Sequence, residues 1–310
     1  MTLALQFHSD ILAPAVINGL ATASLYGVLA LSLVLVYRIN RSVAFVQGGM
    51  ATVGGFLYWY LTKDPAVSQF ATKGLPKVPA LGLVVIVGAV LGALYGSVVS
   101  NRMASYPRVT VTTFGLGAAL FVVGLTGTIW QGVFETGIPG PFTGRVRIGS
   151  QQVSYHQMFS LGVLLVVCAA LTVVMKATRG GIYVRAIADD SEAAEIVGIR
   201  VSAVGTAVWA IAGGLGALAG ALIVPLAVLY ETALIFVLMR ALAAAVLGGF
   251  ESFALAVAGA AVFGIVESSV GGGVFGTVNA GVREIILVVA LLAGVVVINR
   301  KRLVAAVGGE

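Results

Sequence analysis

Charge is what this sequence has least of. Asp, Glu, Lys and Arg make up 10% of its 310 residues, against about 25% in soluble globular domains. With so few charged side chains to cover a surface, a water-soluble fold is excluded. Cysteine is nearly absent, and the single Cys168 can form neither an intrachain disulfide nor a cysteine metal cluster. The two histidines, His8 and His156, have no second ligand at helical or chelating spacing, which argues against a metal site. None of the five lysines follows a G-x-x-x-x-G stretch, so the phosphate-cradling loop of P-loop nucleotide-binding proteins is missing. The formal net charge of +6 does not signal nucleic acid, because Lys and Arg lie in short clusters between apolar runs and form no stripe. Only eight prolines accompany 41 glycines. The glycines sit inside apolar runs, where small residues let helices approach closely.

What is there is apolar length. Hydrophobic residues make up 59% of the chain, arranged in runs that match the roughly 30 Å hydrocarbon core of a bilayer. Nine runs stand out: Ile11–Tyr37, Val43–Leu61, Pro79–Val99, Val109–Trp130, Met158–Met175, Ala203–Leu229, Leu234–Gly249, Phe253–Val270 and Glu284–Ile298. The first is too long and too poor in preceding basic residues for a cleavable signal peptide. The seventh is short and carries Arg240, and the second contains "QGGM". Either of these two is a candidate for a broken or re-entrant segment. The pattern predicts an all-α polytopic membrane protein, a bundle of about eight to nine transmembrane helices. With the N-terminus outside, eleven basic residues fall in inner loops and six in outer ones, in keeping with the positive-inside rule.

One stretch departs from this apolar character. "RAIADDSEAAEIVGIR", Arg185 to Arg200, lies in a 27-residue loop from Lys176 to Ser202 on the predicted cytoplasmic side. Asp189, Asp190 and Ser191 are helix-starting residues, with Ser191 placed to cap a turn that begins at Glu192. Gly198 is suited to end the helix. Two readings stand side by side: a solvated loop that only satisfies topology, and a knob on which a cytoplasmic partner docks.

"EAA" at Glu192 to Ala194, followed by Gly198, is similar to the EAA-x-x-x-G signature of bacterial ABC import permeases. The wider run "RGGIYVRAIADDSEAAEIVGIRVS" from Arg179 resembles the branched-chain amino acid permease family. "NGLATASLYGVLALSLVLVYRINRSVAFVQGGMATVGGFL" from Asn18 resembles that family's first hairpin, and "RALAAAVLGGFESFALAVAGAAVFGIVES" from Arg240 its penultimate one. Two departures are visible. Phe45 to Gly49 stand where many members have "FAHGE", and the Leu-Pro part of the general signature is missing.

The resemblance implies a single permease domain over 1–310 with a coupling loop at 176–202, in the bacterial cytoplasmic (inner) membrane. It implies that Arg185, Ala186, Glu192, Ala193, Ala194 and Gly198 couple the chain to the ATPases. The implied partners are two ABC ATPase subunits, a second permease subunit in a hetero- or homodimer, and an extracytoplasmic solute-binding protein. ATP and magnesium would be bound by the ATPases and no cofactor by this chain, which would be a transport subunit and not an enzyme. Branched-chain or related amino acids are the implied solutes, with urea, short amides or another small polar solute as alternatives. A secondary transporter or channel independent of ATP is the rival class.

Candidate path residues are Gln47, Gly48, Gly49, Thr112 and Thr113, polar or glycine positions within apolar spans. Each has a plainer reading, as a contact with a neighbouring helix. Gly88, Gly92 and Gly96, and again Gly216 and Gly220, are spaced for close helix packing, within one subunit or at a subunit seam. Arg240 and Glu267 are ionisable groups within spans. Counted along the backbone from a turn near Glu251, their depths differ by about 8 Å. Pairing and snorkelling are both open to them. The longest outer loop, Gln131 to His156, is turn-rich and reads either as a contact surface for a binding protein or as a connector.

Overall fold

The computed structural model describes residues 12–63, 74–103, 106–148, 151–230, 233–250, 252–271 and 289. The chain is an all-α polytopic membrane protein. Its helices are α1 (Leu12–Asn40), α2 (Val46–Thr62), α3 (Lys77–Arg102), α4 (Arg108–Ile129), α5 (Tyr155–Ala177), α6 (Arg179–Asp189), α7 (Ser191–Ile196), α8 (Val201–Ile223), α9 (Ala233–Leu247) and α10 (Phe253–Gly271). Between α4 and α5 lie two short strands, β1 (Arg145–Ile148) and β2 (Gln151–Ser154).

Six of the described helices, α1, α3, α4, α5, α8 and α10, are long and apolar enough to cross a membrane. The second and seventh apolar runs form the shorter helices α2 and α9, of 17 and 15 residues. These eight helices account for the first eight apolar runs. The ninth run, Glu284–Ile298, lies outside the described residues apart from Val289, as do His8 and Glu251.

Burial explains why the apolar residues are not confined to stripes. The middle of α1, from Val28 to Val36, is buried, and α2 is buried along most of its length. These two helices form the centre of the bundle, with α1 packed against α5, α8, α9 and α10, and α2 against α3, α4, α8 and α9. A helix surrounded by other helices is apolar all round. Outward faces are apolar as well: Ile86, Leu94, Phe121 and Val166 are all exposed. In water such faces would be aggregation surfaces. In a bilayer they meet hydrocarbon.

Small residues set the closest helix contacts. A Cβ built on Gly213 of α8 would meet the Gly92 Cα at 2.7 Å, and one on Gly92 would meet the Gly213 Cα at 2.9 Å. Gly88 and Gly96 face Ala217 and Trp209 of the same helix. Gly220 faces Ala51 of α2, and Gly54 of α2 faces Ala217. Both glycine repeats are therefore occupied by packing within this chain.

The two ends of the bundle differ. At one end the last turn of α1, Arg108 at the start of α4, and the α6–α7 segment meet around a common cavity. There Tyr37 stacks on Phe250 at 4.4 Å and the Arg38 guanidinium lies 4.4 Å over the Phe253 ring. The opposite end carries an aromatic cluster in which Trp130 stacks on Phe56 and tilts against Tyr60, as expected at a membrane interface. Here the stretch from Gln131 to His156 carries local structure. β1 and β2 pair antiparallel with Val146 opposite Val153, Glu135 bridges to Leu229, and the Tyr58 hydroxyl donates to the Pro139 carbonyl at 3.3 Å. Lys63 reaches Glu135 at 3.6 Å and lies over the Trp59 ring.

Candidate functional site

The charged segment folds as two short helices separated by a single extended residue. Thr178 caps α6, its hydroxyl accepting the Gly181 N–H at 3.2 Å. Val184 and Ile187 bury one face of α6, and Arg185 donates to the carbonyl of Met175 in the last turn of α5. That bond turns the Arg185 guanidinium back onto its own chain. Ala186 is half-buried, and its carbonyl accepts the Asp190 N–H.

The cap of α7 lies one residue earlier than the sequence suggests. Asp190, with φ −153° and ψ 111°, accepts the N–H groups of Glu192 and Ala193 at 2.9 and 3.0 Å, and the helix begins at Ser191 itself. Ser191 is therefore not the cap. Asp190 has the extended backbone that an N-cap requires, and its carboxylate also complements the positive helix end. Gly198 ends the turn at φ +88°, in the left-handed region that favours glycine. Its N–H bonds to the Glu195 carbonyl, and that of Ile199 to the Ala194 carbonyl, a Schellman closure.

Within α7 the two alanines face opposite ways. Ala194 is buried against the bundle, whereas Glu192, Ala193 and Glu195 are exposed. Beside them Ile196 and Val197 are 86% and 75% exposed. This apolar pair was missed in the sequence, where the acidic residues drew attention. Their position next to an exposed Ala193 is the signal that finds them. Inward of α7 lies a cavity of about 470 Å³, lined by Asn40, Arg41, Arg108, Asp189 and Glu192 among others.

The Gln47–Gly49 stretch is not an interruption within a span. It forms the first turn of α2, which runs without a break to Thr62 and is entered from the irregular Arg41–Phe45 link. Gly48 faces Leu238 of α9, and Gly49 faces Val122 and Ala119 of α4. Both glycines therefore admit neighbouring helices. Gln47 is wholly buried, and neither atom of its carboxamide finds a hydrogen-bond partner among the described residues. Its Oε1 points at Gly216 of α8. Thr112 and Thr113 donate within α4 to the carbonyls of Arg108 and Val109, and Thr113 is exposed.

Three further polar groups sit inside the bundle. Arg240 and Glu267 pair at 3.4 Å, and Arg240 also donates to the Tyr26 hydroxyl at 3.2 Å. His156 is not a loop residue: it lies buried in the first turn of α5, with Nε2 2.8 Å from the Leu222 carbonyl. Ser154 caps that helix in a capping box with Gln157. No group of three or more His, Cys, Asp or Glu residues that could hold a metal occurs among the described residues.

Comparison with known proteins bears on what kind of membrane protein this bundle is. Residues 15–298 match the model of the family described as branched-chain amino acid transport system / permease component. The chain belongs to this permease family. It is 26% identical over 270 residues to the high-affinity branched-chain amino acid transport system permease protein BraD of Pseudomonas aeruginosa, covering 84% of this chain and 86% of BraD. It is 23% identical over 257 residues to the corresponding LivH proteins of Salmonella typhimurium and Escherichia coli, covering 81% of this chain and 83% of each. No solved structure matches the chain. The protein is thus a permease, a multi-pass membrane transport subunit and not an enzyme.

Proposed function

We propose that this permease is the membrane subunit of an ATP-driven ABC importer in the bacterial cytoplasmic membrane, and that it carries branched-chain or related amino acids. The observation that carries this reading is α7. A six-residue helix capped by Asp190, closed by Gly198 and tipped by exposed Ile196 and Val197 is an ordered knob with an unpartnered apolar end. A loop that only satisfied topology would need neither the caps nor the apolar tip. Two ATPase subunits, which bind ATP and magnesium, dock here. Glu192, Ala193 and Gly198 provide the contact and its shape, and Arg185, Ala186 and Ala194 fasten the knob to the bundle. Closure of the ATPases on ATP moves α6 and α7 and, through them, α5 and α8.

A second permease subunit completes the path, and an extracytoplasmic binding protein delivers solute to the folded outer loop. Gln47 lies along the path: a wholly buried carboxamide without a partner among the described residues is unfavourable by about 1–3 kcal/mol, so its persistence is explained by a solute that bonds it in passing. The same neutral carboxamide favours urea or short amides as the second choice of solute. A secondary transporter would instead place a chain of titratable groups across the membrane. Among the described residues, Arg240 and Glu267 form one mutually neutralising pair.

The test is affinity purification of the full chain in mild detergent, with a labelling tag placed beside Glu195. Copurifying ATPase, a second permease and cytoplasm-only labelling are expected. A chain that purifies alone and transports in that state would contradict the proposal.

A further inference from the structure

The last turn of α1, the link that follows it, α6 and the α9–α10 turn border a small cavity of about 140 Å³, lined by Arg38, Arg41 and Arg185 together with Tyr37 and Phe250. No Asp or Glu lines it among the described residues. The neighbouring cavity beside α7, which has Asp189 and Glu192 as well as Arg108, is mixed in charge; this one is positive only. Topology asks only that basic residues lie on one side of the membrane. It does not ask three of them, from separate elements, to share one cavity, and Arg38 and Arg185 stand close enough to repel each other. Two of the guanidiniums are held in place, that of Arg38 over the Phe253 ring at 4.4 Å and that of Arg185 by its bond to the Met175 carbonyl. The backbone points to the same spot. Among the described residues the non-glycine positions with positive φ are Arg41, at +51°, and Phe250, at +55°, and both line this cavity. Such backbone is uncommon for these residue types, and residues kept in it cluster at binding sites.

We propose that this cavity binds a single phosphate group, carried by an anionic lipid headgroup of the adjoining leaflet or present as free phosphate. Arginine suits the role, because its planar fork matches phosphate oxygens and keeps its charge. The cavity lies well below the roughly 300–1,000 Å³ of sites that take drug-sized ligands, so it admits a phosphate group and not a whole nucleotide. Its position favours a lipid: Arg38 is in the last turn of a helix long and apolar enough to cross the membrane, where headgroups begin, and basic pockets between helices at the cytoplasmic face hold such headgroups. A bound phosphate offsets the repulsion among the three arginines and ties α6 to α1 and to the α9–α10 turn. The site does not depend on which solute the permease carries.

The experiment uses the full chain purified in mild detergent. Native mass spectrometry measures binding of phosphatidylglycerol and of phosphatidylcholine, and melting temperature is compared in sodium phosphate and in sodium chloride at equal ionic strength. Phosphatidylglycerol should bind at least about tenfold more tightly than phosphatidylcholine, and Arg41→Gln and Arg185→Gln should each weaken it by about tenfold, the equivalent of one charge-assisted hydrogen bond. Arg102→Gln removes the same charge from the last turn of α3, outside this cavity, and should bind as the wild type does. Arg41 is exposed, so its variant folds even where Arg185→Gln does not. If the two lipids bind alike but phosphate raises the melting temperature of the wild type and not of Arg41→Gln, the site stands and its ligand is free phosphate. The proposal is overturned if neither probe distinguishes the wild type from Arg41→Gln, or if Arg102→Gln loses as much binding as Arg41→Gln, which would reduce the effect to net charge.

Discussion

The side-chain oxygen of Gln47 on α2 is aimed at Gly216 on α8, where a Cβ would strike it. The absence of a side chain at Gly216 is what gives the carboxamide its place in the core. Replacing Gln47 with Leu removes an unpaired polar group, and the purified complex should melt at a higher temperature, by the equivalent of about 1 kcal/mol or more. Transport should move the other way, with slower uptake or a different preference among amino acids, urea and amides. Membrane abundance and ATPase association should not change. A rise in melting temperature with unchanged uptake would show that Gln47 plays no part in the path.

The opposite orientations of Ala193 and Ala194 separate docking from folding. Ala193→Phe enlarges the exposed face of α7 and should abolish ATPase copurification and uptake while the chain still accumulates in the membrane. Ala194→Phe forces a ring into a buried contact and should lower abundance instead, overpacking costing about 1–3 kcal/mol. Quantitative blots of the membrane fraction and of the purified complex distinguish the two; equal behaviour of the variants would contradict the assignment of faces.

Capping gives an independent check on α7. Asp190→Ala removes the side-chain acceptor for two N–H groups and should loosen the helix by about 1 kcal/mol, whereas Asp190→Asn caps nearly as well. ATPase binding should weaken in the first variant and survive in the second. Ser191→Ala, which leaves the Asp190 cap intact, should bind normally. Loss of binding in Ser191→Ala would restore Ser191 as the cap.

Glycine contacts predict which substitutions the bundle tolerates. Gly92→Leu drives a side chain into the α8 backbone beside Gly213 and should prevent assembly. Gly117→Ala meets nothing within 4 Å and should leave abundance and uptake at wild-type levels. Pulse-chase measurement of the membrane-inserted chain checks both.

Much of this fold was legible in the apolar runs, because the bilayer demands long apolar helices and punishes charge. The two runs singled out as candidates for a broken or re-entrant segment form instead two short continuous helices, α2 and α9. Less visible was what depends on geometry across the chain. The β1–β2 hairpin was missed, although Ile148 and Gln151 flank a Gly-Ser dipeptide of the kind that closes two-residue hairpins. Asp190 and not Ser191 caps α7, because the extended backbone decides the cap and three adjacent residues all have suitable side chains. Backbone depth left both pairing and snorkelling open to Arg240 and Glu267, and only the folded side chains show the pair, at 3.4 Å. Gln47 was singled out for its polarity, but that its carboxamide would be wholly buried against α8 follows only from the position of Gly216 in the folded chain.

The most direct measurement is accumulation of radiolabelled leucine by the reconstituted complex in proteoliposomes, with binding protein outside and ATP enclosed. Leucine should accumulate only when both ATP and the loaded binding protein are present, and Ala193→Phe should abolish it. Leucine flux that proceeds without ATP and follows an imposed proton or sodium gradient would contradict an ATP-driven importer and establish a secondary transporter in its place.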